Sequence, residues 1–522
     1  MPEIKNATAR HLLYTMHFPL PQDETFAHDC NQRHILLYGV GKAKDEARHV
    51  VKKITKEITK LFNRKSSMDI SDGGKVKKHA IKEGFNFEAA VNKFQSLSTF
   101  DQHVVTNSCA TAAVEMLNGV AIGSANYLPL IESIAFLFDL MELALNVHGL
   151  IEFIIQMLKE LVEVDIQLHQ KCPILARTYG TSIGLYIVGI LYRYQTCLLV
   201  SHEETVAVFE GLWKLVRHVN NPSDCSSAER CILFYLWDLH SSYNYLRTKY
   251  HDSVSFTQML SKIKQMSNSQ MSLHSENSNM RLNASVMSEY LKNPKLKVDP
   301  IHIRNLNDNL TDRYSFVCNA IQCISMANDG DKLNEMSVLC AELTASCSQL
   351  SSEWLSALKA LCCSSNPKSY YDLLTQVEVG DLSIHDNLAV FTSILIARRC
   401  FSLKDFILQV AVPSLLAPSS SEGADDAEPG ARLTCHLLLC LFKTSETPLS
   451  SNTMTSFATS SRYSLTSPGP LVLAQTPPNP SQRPHYNIKY PCDRYLLAAA
   501  HSTLRIEIVL TVLKAILVLG IN

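Results

Sequence analysis

Apolar side chains recur at every third and fourth position over most of this chain, the period of a helix that buries one face. The clearest stretch is 333–366. Leu333, Met336, Leu339, Cys340, Leu343 and Cys347 form one stripe, and Trp354, Leu355, Leu358, Leu361 and Cys362 form the next. Ser351 or Ser352 sits where an N-cap belongs, with Glu353 in the first turn. Neither stripe can be buried by its own helix, so the pair must stack on similar neighbours. The same period predicts helices at 86–98, 101–119, 127–147, 150–170, 174–200, 203–219 and 226–250, and again at 313–328, 383–400, 404–416, 431–443 and 492–519. Gly149, Pro173 and Asn221-Pro222 separate successive helices. Short loops between long helices place neighbours antiparallel. The implied fold class is all-α: an elongated stack of helical hairpins, a HEAT-like α-solenoid with disordered linkers, although no repeating consensus is visible.

Interruptions in the pattern divide the chain. Residues 1–64 are a mixed N-terminal segment that ends in a basic amphipathic helix, and 65–84 are a polar linker. A first helical stack spans 85–266, a flexible linker with a short helix near 284–291 spans 267–304, and a second stack spans 305–444. Residues 445–491 are rich in Ser, Thr and Pro, hold too little apolar matter for a core, and are expected to be disordered. Segment 492–522 reads as a helix with an apolar, unfinished end. On that end the chain is expected to be a fragment.

A length of 522 residues exceeds one core, which stops growing near about 250–300 residues. The net charge of −1 argues against bulk attraction to nucleic acid or an anionic membrane. The 16 cysteines include no C-x-x-C pair, and their apolar surroundings suggest buried thiols in a reducing compartment. His169-x-x-Cys172 comes nearest to metal-ligand spacing but has no second pair, so no metal and no cofactor is expected. The opening residues lack the apolar core of a secretory signal. The best candidate for a membrane span, 178–192, is about fifteen residues long, against the roughly 20 that a span needs. Glu132, Asp139, Glu142 and Glu152, within the apolar run 128–158, are expected on wet helix faces.

The most distinctive surface lies between Lys42 and Lys65. Ala47, Val50, Val51, Ile54, Ile58, Leu61 and Phe62 make an apolar stripe, and Lys44, Arg48, Lys52, Lys53, Lys56 and Lys60 crowd the remainder. Such a helix suits a solvated outer face, a docking surface for an acidic partner, or a site for nucleic acid or phosphoinositide. No aromatic side chains are interleaved with the cations to stack on bases. Thr447, Ser467 and Thr476 each precede proline and are candidate phosphorylation sites, with an unmodified linker as the alternative.

Two motifs imitate catalytic ones. Gly39-Val40-Gly41-Lys42 lacks the first glycine of a phosphate loop and the hydroxyl that would hold magnesium. Gly180-Thr181-Ser182-Ile183-Gly184 fits GxSxG, but that motif needs a strand-to-helix turn above a parallel sheet, and a helical pattern surrounds it. A hydrolase built on Ser182 is therefore the alternative reading rather than the main one. His17, His28 and His34 lie near acids, and Asp101 neighbours His103 without a nucleophile. No catalytic residue is assigned.

Several stretches are specific to one family. HFPLPQ (17–22), CNQR (30–33), YGVGK (38–42), ARHVVKKITK (47–56), SSAERCIL (226–233), RYSFVCNA (313–320), EWLSALKALCCSSN (353–366), EPGARLTC (428–435) and VLKAILVLG (512–520) occur in order along the chain. On these the sequence closely resembles the central part of the Mediator complex subunit 12 family. The resemblance implies a nuclear, non-enzymatic coregulator of RNA polymerase II transcription. It implies as partners a cyclin-dependent kinase, cyclin C and subunit 13 in the kinase module, with core Mediator and transcription factors beyond. The family's kinase-activating segment lies upstream of anything matched here. Direct nucleic-acid binding and membrane attachment are not implied.

Overall fold

The computed structural model describes residues 42–72, 75–76, 85–219, 225–251, 253, 256–259, 261–263, 280–364, 370–416, 429–443, 488 and 491–502. They form two compact units: one takes in 42–184 and 196–215, the other 185–195 and 216–502. The all-α expectation holds. Among the described residues the only strands are three short ones in a single sheet.

In the first unit α1 (Lys42–Thr59) turns Val51, Ile54 and Ile58 inward, and the 3₁₀ turn after it adds Leu61 and Phe62. These pack on α2 (Phe87–Gln95) and α3 (Thr99–Ala121). Val50, expected in the apolar stripe, is 44% exposed because the buried arc is centred one residue round. Asn86 and Ser98 cap α2 and α3 by accepting from the backbone N–H three residues on. Strands β1 (Ser67–Asp69) and β2 (Lys75–Val76) occupy part of the expected linker. Strand β3 (Tyr127–Pro129) replaces the expected helix start at 127. The order is β2-β1-β3, all antiparallel, with Met68 opposite Val76 and Leu128. Pro129 biases the residue before it toward extended backbone, which delays the helix.

Helix α4 (Ile131–Leu143) lies between α3 and α5 (Val147–His169). Covered on both sides, it buries Asp139 and Glu142, whereas Glu132 and Glu152 face solvent as expected. It ends without a glycine. Leu145 takes φ 53°, and the N–H of Asn146 reaches the carbonyl of Met141 at 2.9 Å, a left-handed cap formed by an exposed leucine. Asn146 then caps α5 by accepting from Gly149 N–H. Its amide donates to Asn107 at 2.7 Å and Thr106 at 3.1 Å, tying α5 to α3.

Helix α6 (Pro173–Arg193) belongs to the first unit through Gly184 and to the second beyond it. At 21 residues it exceeds the expected fifteen-residue stretch and is long and apolar enough to cross a bilayer. Two thirds of its apolar window is buried within the protein, as for a core helix. Helix α7 (His202–Val216) follows.

The second unit continues with α8 (Ser227–Ser242), closed at its start by a reciprocal cap between Ser226 and Glu229. The helix expected over 226–250 breaks at Tyr243, which is extended, and a short helix resumes at Asn244–Lys249. Within the expected linker 267–304 a short helix forms at Ser288–Lys292, close to the one expected near 284–291, and α9 (Pro300–Asp308), which was not expected, begins with a proline in its first turn after Asp299. Then come α10 (Leu310–Ser325), α11 (Gly330–Ser346) and α12 (Leu350–Cys362). The start of α12 corrects the expected cap. Gln349 precedes it without a side-chain cap, and Ser351 and Ser352 lie inside the first turn.

Helix α13 (Ser383–Ala397) is the unit's centre. It is followed by α14, made of Leu403–Phe406, a π turn Ile407–Ala411 and Val412–Leu415, then by α15 (Pro429–Lys443) and α16 (Pro491–Ser502). Helices α10, α11, α15 and α16 all pack on α13. Its Leu388, Phe391, Ile394 and Leu395 are fully buried. Trp354 of α12 meets Phe316 and Phe391 edge to face at 5.6 and 5.4 Å, and its indole N–H donates to Thr344 at 2.8 Å. The expected Ser/Thr/Pro-rich segment 445–491 lies outside the described residues, apart from Ile488 and Pro491.

Candidate interaction surface and polar clusters

Burying Val51, Ile54 and Ile58 turns the opposite arc of α1 outward. Arg48, Lys52, Lys53, Lys56 and Lys60 are all exposed. Their solvated heads form a positive face suited to a complementary negative surface. Glu57 lies off that face and pairs instead with Lys93 of α2 at 3.0 Å. The side chain of Lys44 lies outside the described set, as do Thr447, Ser467, Thr476, His17, His28 and His34.

Ser182 lies in the middle of α6, so its backbone is helical and the strained elbow that GxSxG chemistry requires is not formed there. Asp101 and His103 have structural partners. Asp101 is buried at the start of α3 and accepts from the Ser98 hydroxyl at 2.7 Å. His103 Nε2 lies 2.8 Å from the Ala144 carbonyl and donates to it. Burial pushes its pKa down, against the opposing effect of that hydrogen bond. None of the described cysteines forms a disulfide. Burial raises the Cys225 thiol to about 11 and the Cys231, Cys362 and Cys400 thiols to about 12, which keeps them protonated and unreactive at neutral pH.

Three polar clusters inside the second unit escape a reading of local sequence. In the first, the fully buried Glu353 accepts the hydroxyl proton of Tyr370, while Arg313 lies 4.0 Å away and donates to the carbonyls of Leu306 and Asn307 at 2.8 and 2.9 Å. Glu353 was expected to be an ordinary first-turn acid. In the second, Arg398 grips Asp493 of α16 with two hydrogen bonds, at 2.5 Å from Nε and 3.1 Å from Nη2. Its Nη1 donates to Ser227 at 3.1 Å, and Ser227 N–H donates to Glu342 at 2.9 Å. Burial works against the charge on Arg398, but the acids around it, Asp493 foremost, more than compensate and raise its pKa above the usual value. The neighbouring Arg399, left-handed at φ 57°, donates to Tyr192 at 3.0 Å and pairs with Asp238 at 3.3 Å.

The third cluster carries metal-ligating chemistry that the sequence reading missed. On α15, His436 and Cys440 stand one turn apart on one face; Asp386 comes from the start of α13. His436 Nε2 lies 2.9 Å from Asp386 Oδ1 and 3.4 Å from Cys440 Sγ. The three donor atoms fall within 4.8 Å of one another. The His-x-x-x-Cys spacing was a visible signal; the third member is 50 residues away in sequence and becomes a neighbour only through the packing of α13 on α15. His169 and Cys172 join no such group among the described residues.

Residues 2–37 match the model of the Eukaryotic Mediator 12 subunit domain. The chain is 47% identical over 98% of its length to Mediator of RNA polymerase II transcription subunit 12 of Drosophila melanogaster, covering 20% of that protein. It is 44% identical over 98% of its length to the subunit 12-like protein of Homo sapiens, covering 23%. With subunit 12 of Danio rerio the identity is 43%, again over 98% of the chain and 23% of the relative. The chain thus spans about a fifth to a quarter of the length of the relatives it matches. Along nearly its whole length it belongs to the Mediator subunit 12 family.

Proposed function

We propose that this chain is a non-catalytic helical scaffold of Mediator that acts in the nucleus to regulate RNA polymerase II transcription through protein–protein contacts. The observation that carries the reading is the 43–47% identity, over 98% of the chain, to proteins named as Mediator subunits. The partners proposed are the cyclin-dependent kinase, cyclin C and subunit 13 of the kinase module, with core Mediator and transcription factors beyond. The helical stacks at 85–266 and 305–444 are proposed to present the broad faces that such contacts need, about 800 Å² per partner for a stable interface.

The exposed cations of α1, with Lys44 before them, are the proposed docking face for an acidic surface. Their reach into solvent supports the reading, and so does the rule that charge complementarity governs encounter and partner choice. The test is the triple reversal Lys52→Glu, Lys53→Glu and Lys56→Glu. All three side chains are exposed, so the melting temperature should stay close to that of the parent. Recovery of at least one kinase-module protein in co-purification should fall, most steeply at low salt. Unchanged recovery at every salt concentration would refute docking through this face.

A further inference from the structure

The cluster Asp386, His436 and Cys440 serves neither the proposed docking face nor the buried core. We propose that it is a zinc site that clips α15 to α13.

The first argument is the hydrogen-bonding capacity of one atom. Both Asp386 Oδ1 and Cys440 Sγ approach the same nitrogen, His436 Nε2, at 2.9 and 3.4 Å. A ring nitrogen carries either one proton or one lone pair. The proton, when present, is shared between the carboxylate and the sulfur, a weak acceptor. With the lone pair, it accepts from the thiol and faces the carboxylate lone pair to lone pair. A cation at the common point takes a lone pair from all three. The same geometry rules out a Cys-His-Asp relay, in which the acid must hold the opposite ring nitrogen from the nucleophile.

The second argument is distance. Zinc bonds of about 2.0–2.1 Å to nitrogen, 2.3 Å to sulfur and 2.0–2.2 Å to oxygen place tetrahedral donors roughly 3.3–3.6 Å apart. The His436–Cys440 separation of 3.4 Å already fits. The Asp386 oxygen must withdraw by about half an ångström to reach that spacing, and its side chain is 47% exposed and can move.

The third argument is ligand type and access. Thiolate, imidazole and carboxylate together suit zinc; magnesium and calcium prefer oxygen alone. A thiolate and a carboxylate neutralise the divalent charge, and the thiol gives up its proton on binding. His436 is 34% exposed, so the ion can enter and a water can complete the tetrahedron. His385, whose ring lies 5.6 Å from that of His436, is committed through Nε2 to the Val379 carbonyl at 2.9 Å.

The test uses the full chain, free of any histidine tag, stripped with a chelator and titrated with Zn²⁺ against a chromophoric indicator. Co²⁺ serves as the spectroscopic probe. Because the chain has 16 cysteines, single variants assign the signal. The wild type should bind one zinc and show thiolate-to-cobalt charge transfer. Cys440→Ser, His436→Ala and Asp386→Asn should each weaken binding by more than about 100-fold, since even loss of an outer-shell partner costs 10–100-fold. Cys435→Ser, one residue from His436 and outside the cluster, should leave affinity unchanged. Equal zinc affinity in wild type, His436→Ala and Cys440→Ser would overturn the proposal, as would a wild type that takes up no zinc. Should a variant fail to fold, X-ray absorption of the zinc-loaded wild type decides: one sulfur among lighter ligands supports the site, and several sulfurs or none refute it.

Discussion

Asp493 is fully buried, and both of its oxygens are taken by Arg398, a residue 7% exposed. Replacing Asp493 with alanine leaves that guanidinium inside the second unit with Ser227 at 3.1 Å and the partly exposed Glu342 at 4.0 Å. Removing one partner of a buried pair costs about 3–5 kcal/mol, because the other charge is left uncompensated. At roughly 2–4 °C per kcal/mol for a unit of this class, the melting transition should fall by about 6–20 °C. Far-ultraviolet circular dichroism follows both units together. Fluorescence of the fully buried Trp354 reports the second alone once Trp213 and Trp237 are changed to phenylalanine. The double variant Arg398→Met/Asp493→Leu should regain most of the loss, since apolar replacements of similar volume often match a buried pair. A shift below about 2 °C for Asp493→Ala, or a double variant as unstable as the single one, would refute the claim that the pair fastens α16 to the helical core.

The remaining predictions concern close packing and pH. A Cβ at Gly430 would lie 2.3 Å from the Cys362 carbonyl oxygen and 2.7 Å from its carbon, both backbone atoms. Gly430→Ala should therefore push α15 off α12 and destabilise the second unit by about 1–3 kcal/mol, read by denaturant unfolding. His385 is buried and His103 half-buried, and burial lowers the pKa of each. In the unfolded chain they take up protons near about pH 6.5, while in the folded chain they wait until lower pH. The unfolded state therefore binds more protons in that window, and stability falls as pH drops from about 7 to about 5. Unfolding midpoints at several pH values should show that slope, and His103→Gln with His385→Gln should flatten it.

The helices and their buried faces were legible because amphipathic period is a local signal. The stripes from Leu333 to Cys362 are buried as read, and so are Val51, Ile54 and Ile58 of α1. Element ends were less legible. Leu145 and Arg399 cap helices in left-handed backbone without the glycine that usually marks such a turn, and Tyr243 breaks a helix without proline or glycine. The sheet was missed because strands of two or three residues carry no periodicity. The polar interior was invisible for a different reason. Arg398 and Asp493 are 95 residues apart, Ser227 and Arg398 171, and Asp386 and His436 50, so only tertiary packing reveals that these groups share a site. Asp139 and Glu142, read as acids on wet helix faces, are buried, as is Glu353, because their helices are covered on more than one side.

The central claim is that this chain holds Mediator proteins together. It is tested most directly by purifying the tagged 522-residue chain from nuclear extract and identifying by mass spectrometry what accompanies it. The scaffold reading predicts that subunit 13, cyclin C and the cyclin-dependent kinase are recovered together, above a control in which Asp493→Ala loosens the second unit. A folded chain, verified by its melting curve, that brings down none of the three would contradict it.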